Sequence, residues 1–390
     1  MIFLEKFLCP RKLFKSRHLL KSLGQYFVLE ALMKKSILAL LLVLLAVSGP
    51  SAQTSAADIA ALLASAGSGN ASAQNSLGVK YYNGDGVKQD YKEAFNWFYK
   101  SALQGNMVAQ SNLAYLYDSG KGVTKDFNSA AYWYRKSAEQ GYATSQKNLA
   151  LMYENGEGVP QSYEDAAYWY QKAADQGNAT AINNLGVLYE NGRGVTKNVD
   201  KAFELYAKAA NLGNSYAQNN LGWFYESGMG TPKDILKAFE WYKKSASQQN
   251  PYGQYNLGWL YEHGDTGIPV DKDSAFIWYK RAAEQGHDQA QYQLAGMYER
   301  GEGTQKDYDE AFYWFQESAY NGYADAMVAV GEYYEFGLAG DIDYVQALAW
   351  YLIAAQYGHD DAGYYAELVK ETYELTDEEI AEAERLASEF

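Results

Sequence analysis

The residues best equipped for chemistry are few and scattered. Beyond His18 the histidines are His263, His287 and His359, with no cysteine or second histidine at the short spacing a zinc site uses. The one cysteine, Cys9, lies close to the start. An acyl-transfer enzyme needs a nucleophile held beside a base, and the chain has neither G-x-S-x-G nor S-x-x-K. The phosphate cradle G-x-x-x-x-G-K-[S/T] and the metalloprotease signature H-E-x-x-H are missing as well. Its many Gly-x-Gly pairs follow helical patterns instead of joining a strand to a helix, so they read as caps and turns and not as a dinucleotide site. No catalytic, cofactor-binding or metal-binding residue is assigned, and no enzymatic activity is expected. Asn70-Ala71-Ser72 and Asn178-Ala179-Thr180 have the form of a glycosylation triplet. The chemistry left is recognition, and it depends on the elements that display side chains.

Those elements repeat. Between Ala73 and Asn106, apolar and small residues fall at helical spacing twice, first at Ala73, Leu77, Gly78 and Tyr81, then at Ala94, Trp97, Phe98, Ser101 and Ala102. Gly84 and Gly86 separate the halves, where left-handed backbone can end one helix and reverse the chain. Asp90 opens the second half as an N-cap, with Glu93 placed to complete a capping box. Neither helix can bury its stripe alone, so the pair needs copies of itself. The copies follow at a step of 36 residues, with one step of 37 where Asp265-Thr266-Gly267 lengthens a loop. A Leu-small column runs from Leu77-Gly78 to Val330-Gly331, and a tyrosine stands four residues after the Leu, from Tyr81 to Tyr334. The small residue fits a site where two helix backbones approach. A second aromatic column, Trp97, Trp133, Trp169, Trp241, Trp278, Trp314 and Trp350, is interrupted only by Leu205. It predicts a core built as a ladder of rings, each burying ~150–250 Å², or roughly 4–6 kcal/mol as an upper bound.

The pattern LGxxYxxGxGV…D…A…WYxKAAxxG over about residues 70–360 resembles the Sel-one-like repeat family, relatives of the tetratricopeptide repeats. The resemblance implies an all-α fold, a right-handed α-solenoid of about eight antiparallel helix pairs whose concave face binds protein. It also implies a scaffold or adaptor in place of a catalyst. Some exported members are stapled by cysteine pairs and have been labelled β-lactamases or penicillin binders; this chain lacks both the cysteines and the serine–lysine machinery.

If first helices line the concave face, the residues beside the Leu-small pair point into it. Just before the Leu stand Asn112, Asn148, Asn184, Asn220 and Asn256, then Gln293. In related repeats an amide here holds the backbone of an extended ligand; the alternative is that the amides bond between adjacent helices and set the stacking. The residue after the small one changes along the array, reaching Trp223 and Trp259 in units five and six. With Tyr216, Tyr252, Tyr255 and Tyr292 these make six large aromatics, the kind of side chain that anchors interfaces. They are the candidate partner site, with packing inside the solenoid as the alternative. An acidic column, Asp118, Glu154, Glu190, Glu226, Glu262, Glu299 and Glu335, ends the first helices against their dipoles. Pairing with the basic column Lys100, Lys136, Lys172, Lys208, Lys244 and Arg281 is expected, and an acidic rail for a basic ligand is the other reading.

The ends differ from the middle. Met33-Lys34-Lys35, the apolar run Ile37–Val47 and the small residues after it have the layout of a signal peptide, placed at 33–56, with 1–32 as an upstream start-site extension. The alternatives are a long signal sequence or an uncleaved anchor. Residues 1–35 hold eight bases and two acids, which leaves a net −21 on residues 36–390 from the −15 of the whole chain. Such a body repels nucleic acid and anionic lipid and suits a basic partner. Residues 57–72 read as a half-repeat cap helix, 73–361 as eight repeats and 362–390 as capping helices, the last opened by Thr376 to Glu379. That helix reads as a solubilising end, with a partner-binding tail on Ile380, Ala383 and Leu386 as the alternative. The expectation is an exported protein, periplasmic or secreted, or alternatively in an endoplasmic-reticulum lumen, that binds a protein or peptide without a membrane anchor. Competing readings are a cell-envelope enzyme or β-lactam- or peptidoglycan-binding protein, and a periplasmic regulator of a membrane sensor. The second helices should end at Gly105, Gly141, Gly177, Gly213, Gly286, Gly322 and Gly358, with Gln249 the exception and the joint there the irregular one.

Overall fold

A computed structural model describes residues 56–390. Expectations for the upstream extension, and for the signal peptide short of its last position, lie outside the described residues. Contacts divide the chain into one unit ending at Ala94 and a second from Phe95 to Phe390. Among the described residues there are nineteen helices and, outside them, a single isolated β-bridge.

In the first unit α1 (Ala56–Gly67) packs on α2 (Ala71–Asn83), with Ala66, Ala73 and Leu77 buried, while Gln74 Nε2 donates to the Ala66 carbonyl at 3.1 Å. α3 (Tyr91–Leu103) begins there. In the second unit the first helices are α4 (Met107–Ser119), α6 (Ala143–Asn155), α8 (Ala179–Asn191), α10 (Ser215–Ser227), α12 (Pro251–His263), α14 (Asp288–Arg300) and α16 (Ala324–Phe336). Their partners are α5 (Phe127–Glu139), α7 (Tyr163–Asp175), α9 (Val199–Asn211), α11 (Ile235–Ser247), α13 (Lys272–Ala283), α15 (Tyr308–Tyr320) and α17 (Tyr344–Gln356). From α4 to α17 each helix packs on the next, as an all-α solenoid of pairs requires.

Local chemistry sets the boundaries. Asp126, Ser162, Asn198, Asp234, Asp271, Asp307 and Asp343 cap the second helices by accepting from N–H groups two or three residues on. Each cap's own N–H donates to the carbonyl of the column tyrosine nine or ten residues back, for instance Asp126 N to Tyr117 O at 2.9 Å, which fixes the reversal. At the joint after α11 the left-handed position is held by Gln249 at φ 62°, where the other units have Gly. The lengthened loop is also irregular: Asp265 and Ile268 exchange backbone hydrogen bonds and bury Ile268.

The ladder of rings is present, but on other rungs than expected. The column's tryptophans are half-buried apart from Trp350; the fully enclosed rings stand one residue after the column, at Tyr134, Tyr170, Tyr206, Tyr242, Tyr279 and Tyr351. These rings also explain the small column. A Cβ added at Gly222 would stand 2.7 Å from the Tyr242 ring, and one at Gly331 would stand 2.6 Å from Tyr351, so the small residue makes room for a ring where a backbone approach was expected.

The array ends in α18 (Ala362–Thr372) and α19 (Asp377–Ser388), the latter opened by a capping box between Thr376 and Glu379. Helix α19 lies on α17 with Ala383 and Ala387 buried, Ile380 and Leu386 against the core, and Phe390 stacked near Tyr320 and Trp350. Its apolar side is therefore committed to the protein's own core and does not form a free tail.

Candidate partner-binding surface

The acidic column is not paired with the basic one. Five of its six glutamates instead accept a hydrogen bond from the enclosed tyrosine of their own repeat: Tyr170 to Glu154 at 2.7 Å, Tyr206 to Glu190 at 2.5 Å, Tyr242 to Glu226 at 2.6 Å, Tyr279 to Glu262 at 2.8 Å and Tyr351 to Glu335 at 2.7 Å. Burial first, and the neighbouring carboxylate with it, pushes all five phenols well above their ordinary range. In unit two the acid is Asp118, one methylene shorter, and the Tyr134 hydroxyl makes no hydrogen bond to it. Where Phe315 lacks a hydroxyl, Glu299 takes one from Tyr333 at 3.3 Å. The bases of the other column lie over rings of their own helices: Lys244 sits 3.8 Å from Trp241, Arg281 4.6 Å from Trp278 and Lys172 5.5 Å from Tyr168.

A second buried column escaped the sequence reading. Gln110, Gln146, Gln218, Gln254 and Gln291 each donate to a carbonyl of the preceding second helix, as Gln146 does to Ala138 O at 3.1 Å. Each also accepts from an amide at the end of its own second helix, as Gln146 does from Gln176 at 2.8 Å. Unit four replaces both partners at once, with Ile182 buried and Leu212 at the matching end. The signal was there as a 30-residue spacing of amides.

The candidate aromatics lie on α10, α12 and α14. Tyr216 and Tyr252 are about half exposed with centroids 6.2 Å apart, Trp223 is 39% exposed, and Tyr255, Trp259 and Tyr292 are half-buried. His287 joins them. It is 8% exposed, lies 5.0 Å from Tyr252 and stacks on Tyr255 at 4.8 Å. Its Nδ1 accepts from Ala290 N at 3.3 Å as the N-cap of α14, and burial pulls its pKa below the ordinary value against the opposing charge of Asp288. Trp259 stacks on His263 at 4.4 Å, and Tyr292 meets Tyr323, a ring not anticipated, at 5.2 Å. Tyr216, Tyr252 and Tyr255 thus form one run through His287, while Trp223, Trp259 and Tyr292 each keep separate ring partners.

The amides bond between helices. Asn220 Nδ2 donates to Asn183 Oδ1 at 3.1 Å, Asn256 to Asn219 at 2.8 Å and Asn184 to the Tyr170 hydroxyl at 3.1 Å. Below them, Glu262 is buried and accepts from Tyr279, from Lys272 at 3.3 Å and from Arg300 at 3.4 Å; both cations also reach Glu302. Gly296 makes this possible, because a Cβ there would lie 2.7 Å from Arg300 Nη1. Among the described residues no group of His, Cys, Asp and Glu could hold a metal ion, and no helix is long and apolar enough to cross a membrane. Asn70 and Asn178 of the glycosylation triplets are N-caps, their side chains accepting from Ala73 N and Ala181 N.

A family model for the Sel1 repeat matches eight consecutive segments, 71–106, 108–142, 143–178, 179–214, 215–250, 251–287, 288–323 and 324–359. The chain belongs to the Sel1 repeat family. Its Sel1 repeats have the solenoid fold of proteins that typically serve as interaction scaffolds. Among solved structures the chain is similar to a Sel1 repeat protein from Oxalobacter formigenes, at 34% identity over 63% of this chain and 96% of that one, with a TM-score of 0.58. It is also similar to c5321, a protective antigen present in uropathogenic Escherichia coli strains, at 31% identity over 84% of this chain and 85% of that one, with a TM-score of 0.46. No curated protein matches. In Sel1 terms the candidate residues belong to the repeats at 179–214, 215–250, 251–287 and 288–323.

Proposed function

We propose that this chain is an exported, non-catalytic scaffold, periplasmic or secreted, that binds a protein or peptide partner along the surface formed by α10, α12 and α14. The observation that carries this reading is the display of Tyr216, Trp223 and Tyr252, 53%, 39% and 52% exposed, on consecutive first helices. Tyr132 and Tyr168 are as exposed singly, but Tyr216 and Tyr252 lie 6.2 Å apart on neighbouring helices, and exposed apolar groups that form a patch mark interaction sites. Tyr and Trp, which combine an apolar body with a polar edge, are the residues that most often dominate interface energies. The Asn220–Asn183 and Asn256–Asn219 bonds hold the helices in register, so the amides act here as spacers of the rings and keep any contact to a ligand secondary.

A pull-down from envelope extract with the wild type and with Trp223→Ala/Trp259→Ala tests the surface. The partner should be lost with the variant while helical content and thermal unfolding stay close to wild type; retention by a folded variant overturns the assignment. Export is tested separately by fusing residues 33–56 to a reporter enzyme that is active only outside the cytoplasm.

A further inference from the structure

The protein lays its own cations over many of its aromatic rings, on first helices, as with Lys121 over Tyr115 and Lys237 over Tyr225, as well as on second. On the second helices Lys100, Lys136, Lys172, Lys244 and Arg281 sit over Trp97, Tyr132, Tyr168, Trp241 and Trp278 at 3.8 to 5.7 Å. Among the described residues no cation lies over Tyr216, Trp223, Tyr252, Tyr255, Trp259 or Tyr292. The same first helices are strongly acidic. Together α10, α12, α14 and α16 carry seven carboxylates and one cation, Arg300, which is already bound to Glu262 and Glu302. Two of the acids flank the rings. Asp288, with 43% of its side chain exposed, follows His287 between Tyr252 and Tyr255. Asp325, 49% exposed, lies two residues beyond Tyr323, whose ring meets Tyr292.

We infer that the occupant of this surface is a basic segment of a partner protein, whose Arg or Lys side chains lie on the open rings of α12 and α14 with their charges toward Asp288 and Asp325. This rests on the proposed function and specifies the partner's chemistry. A ring face attracts a cation through its quadrupole, and nearby carboxylates add a longer-range pull that salt weakens. Arginine is favoured over lysine, because its planar guanidinium can stack on a tyrosine and still reach a carboxylate. A neutral apolar segment would gain the rings but add no positive charge to Asp288 and Asp325, whose own neighbours are His287 and His359, each at 3.7 Å.

The test selects binders to the full chain from a display library of random dodecapeptides, then measures them by fluorescence polarisation. The selected peptides should be rich in Arg and Lys. Replacing arginine by citrulline, which keeps the shape and removes the charge, should weaken binding at least tenfold, and so should raising salt from 50 to 500 mM. Asp288→Asn/Asp325→Asn should produce a comparable loss with unchanged thermal unfolding, while Tyr132→Ala/Tyr168→Ala, on second helices, should bind as wild type. Neutral peptides that ignore Asp288→Asn/Asp325→Asn but are lost with Trp223→Ala/Tyr252→Ala overturn the basic occupant and leave the surface standing. If no selected peptide responds to either pair, both readings fall.

Discussion

A phenol enclosed against a carboxylate ties stability to alkali. Tyr170, Tyr206, Tyr242, Tyr279 and Tyr351 ionise well above their ordinary value of 10.0 in the folded chain, through burial and then the partner glutamate. Above about pH 10 the unfolded chain releases these protons and the folded chain does not, so stability is full below that pH and falls as it rises. Urea midpoints should hold from neutrality to about pH 10 and then drop, and absorbance at 295 nm should show phenols that ionise only with unfolding. Removing one donor with Tyr242→Phe leaves the Glu226 carboxylate unmatched and should cost about 1–3 kcal/mol. Conversely, Asp118→Glu supplies the missing acceptor for Tyr134 and should gain about 1 kcal/mol. At Gln249 the side chain occupies left-handed backbone that costs roughly 1–2 kcal/mol, partly offset by the looser unfolded chain of a glycine; Gln249→Gly should stabilise by about 0.5–1 kcal/mol in the same assay. This last position was legible because seven glycines elsewhere mark it. The tyrosine–glutamate bonds were not, because a row of acids invites a search for bases, and a neutral phenol donor gives no charge signal. Only the constant spacing of sixteen residues, seventeen across the lengthened loop, gives the pairing away.

Between elements, the buried glutamine clamp predicts energetic coupling. Gln218→Ile orphans the Gln248 amide and Gln248→Leu leaves Gln218 half-satisfied, so each should destabilise; the double change should cost about 1 kcal/mol less than their sum. Unit four is the natural version of that double change, with Ile182 and Leu212. A double-mutant cycle by denaturant unfolding measures it directly. Helix α14 carries a different dependence. Its cap His287 is held neutral by burial, faced by Tyr252, Tyr255 and the opposing charge of Asp288, so its contribution is complete above about pH 6.5 and declines as pH falls. His287→Asn, the cap residue used at Asn106, Asn178, Asn214 and Asn250, should remove that decline between pH 7.5 and 5.5 while preserving the helix. Helix boundaries were readable throughout, because caps and glycines act locally. The role of His287 was not, since an imidazole at an N-cap matches no motif and its ring partners come from α12.

On the scale of the whole chain, stability accumulates along neighbours and is exposed at the ends. Deleting residues 377–390 strips α19 from α17 and uncovers the surroundings of Trp350, which should cost roughly 3–6 kcal/mol and promote self-association, visible in thermal unfolding and light scattering. The period of the sequence revealed the number of repeats and their order, and the variation between repeats picked out the rings of the proposed partner surface; which rings the protein's own cations cover became visible only in the structure. Most matched side-chain pairs, tyrosine with glutamate and amide with glutamine, sit inside a single repeat, and the glutamine crosses to the preceding repeat only through a main-chain carbonyl. A joint of that kind is indifferent to the identity of its neighbour, so a gene of this design can lengthen by duplicating one cassette without re-matching anything. Some side-chain bonds do cross: Asn183 with Asn220, Asn219 with Asn256, Arg300 with Glu262, Lys272 with Glu302 and Tyr333 with Glu299. They key the cassettes from 179–214 to 324–359 into one sequence, and an inheritance event that shuffled these would break the stretch that carries the open rings.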